Sequence, residues 1–190
     1  SDRSELTLDP NLDTYYLWDM LIAGLTPSTE YAGQLTGIGA SAAARGPIKP
    51  EEAARIQLVA QQLQQANKVT SRAFSKIVEA NASLRPLIEG SFTAADGALN
   101  SFASVSIRDM GRAGDAGSDA GTYFERGTAA IDAGRLLYEA ANRALQTRLQ
   151  EYVSEMTRQQ WLQLGTALLI VALVGFIGFN IGQGISRQVD

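Results

Sequence analysis

The sequence predicts an all-α protein, an elongated antiparallel helical bundle continuous with a C-terminal transmembrane helix. Three observations predict it. Leu162 to Gly182, LQLGTALLIVALVGFIGFNIG, runs 21 residues without a charge, and its polar members are Gln163, Thr166 and Asn180. As a helix rising about 1.5 Å per residue it spans roughly 30 Å, the thickness of a bilayer's hydrocarbon core. Upstream, Ile56, Val59, Leu63, Ala66, Thr70, Ala73 and Ile77 recur in alternating steps of three and four, the seam of a packed helix. Alanine, glutamine, leucine and arginine dominate, and 190 residues hold 5 prolines, a helical composition.

Taken in order, residues 1–10, SDRSELTLDP, read as extended, because Leu6 and Leu8 alternate with polar neighbours and Pro10 keeps Asp9 out of helical geometry. Asn11 or Asp13 can then cap a helix through DTYYLWDMLIAGL. Thr26-Pro27-Ser28 is a second start signature, a capping hydroxyl with proline at the first helical position. A break is therefore expected at Pro27, followed by a helix with Tyr31, Leu35, Ile38 and Ala42 on one side. Arg45-Gly46-Pro47 ends that helix, and Pro50-Glu51-Glu52 opens the next with carboxylates where the helix dipole favours them. A break from Asn81 to Pro86 precedes the stripe Ile88, Phe92, Ala95, Leu99, Phe102, which continues to Ser106 and Asp109. Gly111, Gly114, Gly117 and Ser118 make a turn.

The last helix is expected from about Asp119 to about Gly184. Its stripe reads Phe124, Gly127, Ile131, Gly134, Tyr138, Ala141, Leu145, Leu149, Tyr152 and Met156. The part up to Gln160 would measure about 63 Å. Trp161 suits the mouth of a membrane segment, and Gly178 and Gly182 form a GxxxG pair with Gly175 upstream, which admits a second helix at close range. The resulting organisation is an outer domain over 1–161, a membrane helix over 162–182 and a short tail over 183–190.

The formal charge is −4; residues 1–161 hold 15 basic and 19 acidic side chains, one fewer of each than the whole chain. Such mild acidity argues against nucleic acid as a partner. Cysteine and histidine are both absent, which removes disulfides, thiolate chemistry and the commonest general base and metal ligand. With no phosphate loop, nucleophile elbow or ligand cluster, the expectation is a protein that is not an enzyme and carries no cofactor or metal.

Two polar sets stand out. Asp9, Asp13, Tyr15, Tyr16 and Asp19 could line a ligand pocket, or lock the extended segment onto the helices. Ser106, Arg108, Asp109, Arg112 and Arg126 surround the 111–118 turn, where Arg108, Arg112 and Arg126 could grip a carboxylate ligand bidentately. The plainer reading of those arginines is solvated helix ends. Thr70 within the third helix's seam reads as a tolerated small residue.

The segment Leu6 to Asp19, LTLDPNLDTYYLWD, resembles the L-x-L-D-P-D-x-x-S-Y-Y-L-M-D signature of the periplasmic helical sensor regions of methyl-accepting chemotaxis proteins and some sensor histidine kinases, departing at Asn11, Thr14 and Trp18. Gly184-Ile185-Ser186-Arg187 is similar to the lead into a HAMP domain. The resemblance implies a four-helix-bundle-like sensor in the periplasm, held in the bacterial inner membrane as a homodimer. It implies a ligand, either an organic acid or amino acid or a periplasmic binding protein, and places a first membrane helix and first sensor helix before Ser1. Two spans entering from one side need an even number of outer runs between them; the break at Pro27 brings that count to six. A ligand-free, membrane-anchored coiled coil is the competing expectation.

Overall fold

The computed structural model describes residues 12–186, and within the last helix the side chains at 155, 159, 162, 167 and 170–186 are not described. The chain divides into two compact units, Ser1–Thr147 and Arg148–Asp190. The fold is all-helical: α1 (Leu12–Asp19), a π-helical segment (Met20–Leu25), α2 (Thr26–Arg45), α3 (Pro50–Ala80), a 3₁₀ turn (Ala82–Leu84), α4 (Arg85–Val105), a second π-helical segment (Ser106–Met110) and α5 (Ala120–Ser186).

The expected break at Pro27 does not occur. Asp19 and Thr26, which flank the first π segment, both keep right-handed helical dihedrals, so α1 and α2 form one run from Leu12 to Arg45. Proline inside a helix loses a donor and pushes on the carbonyl four residues back. Here the wider turn just upstream gives the ring room. The Thr26 N–H reaches back to the Leu21 carbonyl, and the Thr26 hydroxyl donates to the same oxygen at 2.9 Å.

The other boundaries follow their local chemistry. Gly46, at φ 110°, ends α2 in a conformation that side chains avoid. Pro50 opens α3, whose Glu52 carboxylate reaches back to the Lys49 N–H at 3.2 Å. Asn81 stops α3, its Oδ1 accepting from the Ser83 N–H at 3.1 Å, and Pro86 sits in the first turn of α4.

Within the first unit four runs thus pack around one core. Neighbouring runs are antiparallel: Asn67 meets Asp96 and Phe74 stacks on Phe92 across α3 and α4, while Gly39 and Gly134 of α2 and α5 meet Tyr123 and Thr29. All seven residues of the α3 seam, Ile56 to Ile77, are buried. So are Ile88, Ala95, Leu99 and Phe102 of α4.

The α5 stripe is met in part: Gly127, Gly134, Ala141 and Leu145 are buried as expected and Ile131 packs partly against the core, whereas two of its aromatics face outward. Phe124 and Tyr138 are 55% and 41% exposed, and the inward face is Tyr123, Gly127, Ala130, Gly134, Leu137, Ala141, Ala144 and Leu145. Large side chains at Tyr123, Leu137 and Leu145 fill the core from this face, while Gly127 and Gly134 stand where α5 comes nearest α2. In the second unit, Leu149, Tyr152 and Met156 are exposed.

No helix among the described residues is long and apolar enough to cross a membrane. Most side chains of the 162–182 run, the surroundings of Gly175, Gly178 and Gly182, and the 187–190 end lie outside the described residues, as do residues 1–11.

If the seams meet in one core, Leu63→Ala and Leu99→Ala should each cost about 2–5 kcal/mol in urea unfolding. Gln65→Ala on the exposed face of α3 should stay within about 0.5 kcal/mol. Equal small effects at all three would separate the seams.

Candidate functional site

The end of the first unit that carries the connections 46–49 and 111–119 gathers several long-range polar bonds. Ile48 and Gly114 exchange two backbone hydrogen bonds, at 2.7 and 3.0 Å, tying the two connections together. Gly114 adopts φ 112°, which needs glycine. The Gln57 amide of α3 donates to the Gly111 carbonyl.

Asp109 is the centre of this end. Its side chain is 8% exposed, and Arg108 donates Nε to Oδ1 at 2.5 Å and Nη2 to Oδ2 at 3.1 Å, a two-point fork. The Ser118 hydroxyl donates to Oδ2 at 2.6 Å, Arg126 of α5 stands 3.8 Å away, and the Asp109 carbonyl accepts from the Gly117 N–H at 2.8 Å. The Arg108 fork holds the Asp109 carboxyl below its usual range, against a burial effect that raises it, and Ser118 and Arg126 add to the lowering.

Beneath it lies Tyr123, fully buried. Its ring tilts against Phe102 at 5.2 Å between centroids, and its hydroxyl is 2.7 Å from Ser106 Oγ. Ser106 gives its single proton to the Phe102 carbonyl at 2.8 Å, so Tyr123 is the donor between the two hydroxyls. Burial pushes the Tyr123 phenol up to about 12, with the Asp109 charge adding to the rise and the Ser106 bond opposing it.

The arginine set is therefore only partly assembled as expected. Arg108 and Arg126 converge, but on an internal carboxylate, while Arg112 is exposed and takes no part. Two guanidinia whose target is already supplied by Asp109 form a tie between the end of α4, the connection and α5. They do not leave an open fork.

The motif set does not converge. Asp13 is buried and accepts from its neighbour's N–H, Thr14, at 2.7 Å and from Asn81 Nδ2 at 2.8 Å, locking the start of α1 onto the α3–α4 reversal. Tyr16 packs partly into the core, whereas Tyr15 is 62% exposed on another face and touches Tyr16 edge-on at 5.3 Å. Asp19 is only partly buried, and Asp9 lies outside the described residues. Thr70 is buried under Gly24 and bonds the Ala66 carbonyl, a packing role. Sequence reasoning missed Tyr123, although its neighbour Phe124 and its partner Ser106 were both on the predicted stripes.

No family model matches this chain, and no curated protein or solved structure shows significant similarity to it.

The Tyr123 geometry makes a pH prediction. A phenol whose folded pKa is raised contributes stability that is whole below the unfolded value near 10 and is lost as pH climbs towards about 12. Tyr123→Phe should lower stability at pH 7 by about 1 kcal/mol through the lost Ser106 bond. It should also flatten the decline between about pH 10 and 12 relative to the parent in urea melts, by up to about 3 kcal/mol. Parallel declines would place the titration elsewhere.

Proposed function

We propose that this chain is the extracytoplasmic sensory region of a bacterial transmembrane receptor, with a chemotaxis transducer as the leading form and a sensor histidine kinase as the alternative output. In this reading residues 1–161 are a periplasmic four-helix bundle, 162–182 cross the inner membrane and 183–190 begin a HAMP-like linker. The protein acts as a homodimer and does no catalysis. Binding at the bundle shifts the last helix by a small translation or tilt that the span carries inward.

The observation that supports this best is the count of runs. Leu12–Arg45, α3, α4 and the first-unit part of α5 make four antiparallel runs, so the unit starts and finishes at the same end. A domain strung between two spans on one side needs such an even number. The uncharged 21-residue stretch and the LTLDPNLDTYYLWD segment give the membrane and receptor parts of the reading.

The saturation of Arg108 and Arg126 by Asp109 favours a second reading, a membrane-anchored structural module that no small molecule stabilises. Orientation rests on the receptor reading, because Arg158 and Arg187 on the two flanks of the apolar stretch give no bias of their own. In intact spheroplasts an impermeant thiol reagent should label Asp115→Cys and leave Ser186→Cys unlabelled until the cells are opened. Labelling of Ser186→Cys alone would reverse the topology, and equal labelling of both would remove the span.

A further inference from the structure

The outer seam between α3 and α4 carries a polar group that neither the packing nor the receptor reading uses. Asp96 of α4 accepts from Asn67 Nδ2 and from Ser71 Oγ, each at 2.9 Å. Both bonds fall on Oδ1. Oδ2 has no hydrogen-bond partner among the described residues, and Asp96 has no ion-pair partner among them either. Lys68 and Arg72, the nearest cations in sequence on α3, are exposed and leave the carboxylate unpaired. One turn along the same seam, Phe74 and Phe92 stack with centroids 4.0 Å apart and planes within 8°, both partly exposed.

The amide of Asn67 is the second observation. The residue is 1% exposed, and its Oδ1 is buried without a hydrogen-bond partner. Flipping the amide would not relieve it, because Oδ1 would then face the Asp96 carboxylate oxygen and the Asp96 carbonyl that Nδ2 now meets. A buried acceptor left open is costly, and a half-satisfied polar cluster between helices is uncommon unless something completes it.

We propose that this seam binds a primary organic ammonium ion. The chemistry of the group selects that class. A carboxylate oxygen without a cation calls for a positive donor, and the unpaired amide oxygen of Asn67, buried in the same α3–α4 seam, calls for an N–H that enters as the side chains part. The paired phenyl rings supply aromatic surface that attracts a cation and covers an alkyl chain. A divalent metal is a poor match, since one carboxylate, one amide and one hydroxyl fall short of the ionised oxygens it takes. Anions are repelled by Asp96. The site is distinct from the Asp109 end and does not depend on the receptor reading.

The test is isothermal titration of the full chain in detergent with butylammonium chloride, against sodium chloride at equal ionic strength. Saturable binding is expected, weakened about tenfold or more in Asp96→Asn, the loss of one charge-assisted bond. Tetramethylammonium, which has no N–H for Asn67, should bind several-fold more weakly than butylammonium. Phe92→Leu, which keeps the carboxylate, should also weaken butylammonium several-fold, and it serves as the decisive variant if Asp96→Asn fails to show a helical far-ultraviolet spectrum. Absence of saturable binding to the parent chain overturns the proposal, as does equal affinity in the folded variants.

Discussion

The close approach of α5 to α2 and α4 is the constraint on which the rest of the first unit depends, and three glycines permit it. A Cβ added at Gly39 would overlap the Tyr123 ring, with the Cζ carbon at 2.5 Å and the hydroxyl at 2.7 Å. One added at Gly127 would overlap Thr36 and stand 2.9 Å from Phe102 Cζ, and one at Gly134 would stand 2.8 Å from Thr29 Cγ2. These are distances that packed side chains do not adopt, so the helices can lie this close only where the side chain is a hydrogen. The contacts also fix register. Tyr123 opposite Gly39, Gly127 opposite Thr36 and Gly134 opposite Thr29 step along both helices together, and a slip of one residue would drive a side chain into each notch.

Such a thin interior leaves many backbone carbonyls near polar side chains, and the chain uses them. Ser28, Thr36 and Ser106 are buried, and each hydroxyl bonds the carbonyl four residues back, at 2.8, 2.7 and 2.8 Å. A small hydroxyl satisfied within its own helix can sit in a core where a longer polar group would not fit. Ser106 then accepts from Tyr123, which joins the notch at Gly39 to the Asp109 cluster above it. The α5 register, the buried phenol and the salt-bridged connection are therefore one connected structure. In the receptor reading, a stimulus at that end would act on the part of α5 that is held most firmly.

Much of the fold was legible because periodicity reports burial directly. Ile56 to Ile77 all proved buried, and Gly46, Pro50 and Asn81 marked their reversals through local chemistry. Pro27 misled because its start signature is real; only the wider π turn before it, which no single residue announces, lets the helix continue. Within the first unit the α5 stripe misled only at its aromatics, for a different reason. Phe124 and Tyr138 each sit beside another large apolar residue, Tyr123 and Leu137, and spacing from Gly127 and Gly134 alone does not decide which of the two faces the core. The arginines at the 111–119 connection were recognisable as a cluster together with Asp109, but not that Asp109 itself is what Arg108 and Arg126 bind. Asn67 and Asp96 could not be paired from sequence, since their meeting depends on the α3–α4 register.

The role of the glycines is tested most directly by comparing Gly127→Ala with Gly97→Ala in equilibrium unfolding. Gly97 lies exposed within α4 with open space around its Cα, so alanine there should stabilise by up to about 1 kcal/mol through helix propensity alone. At Gly127 the same gain is set against overlap with Thr36 and Phe102, which costs about 1–3 kcal/mol, so the substitution should be neutral to destabilising by about 2 kcal/mol. A gain at Gly127 equal to that at Gly97 would contradict the close approach of α5 to α2 and α4.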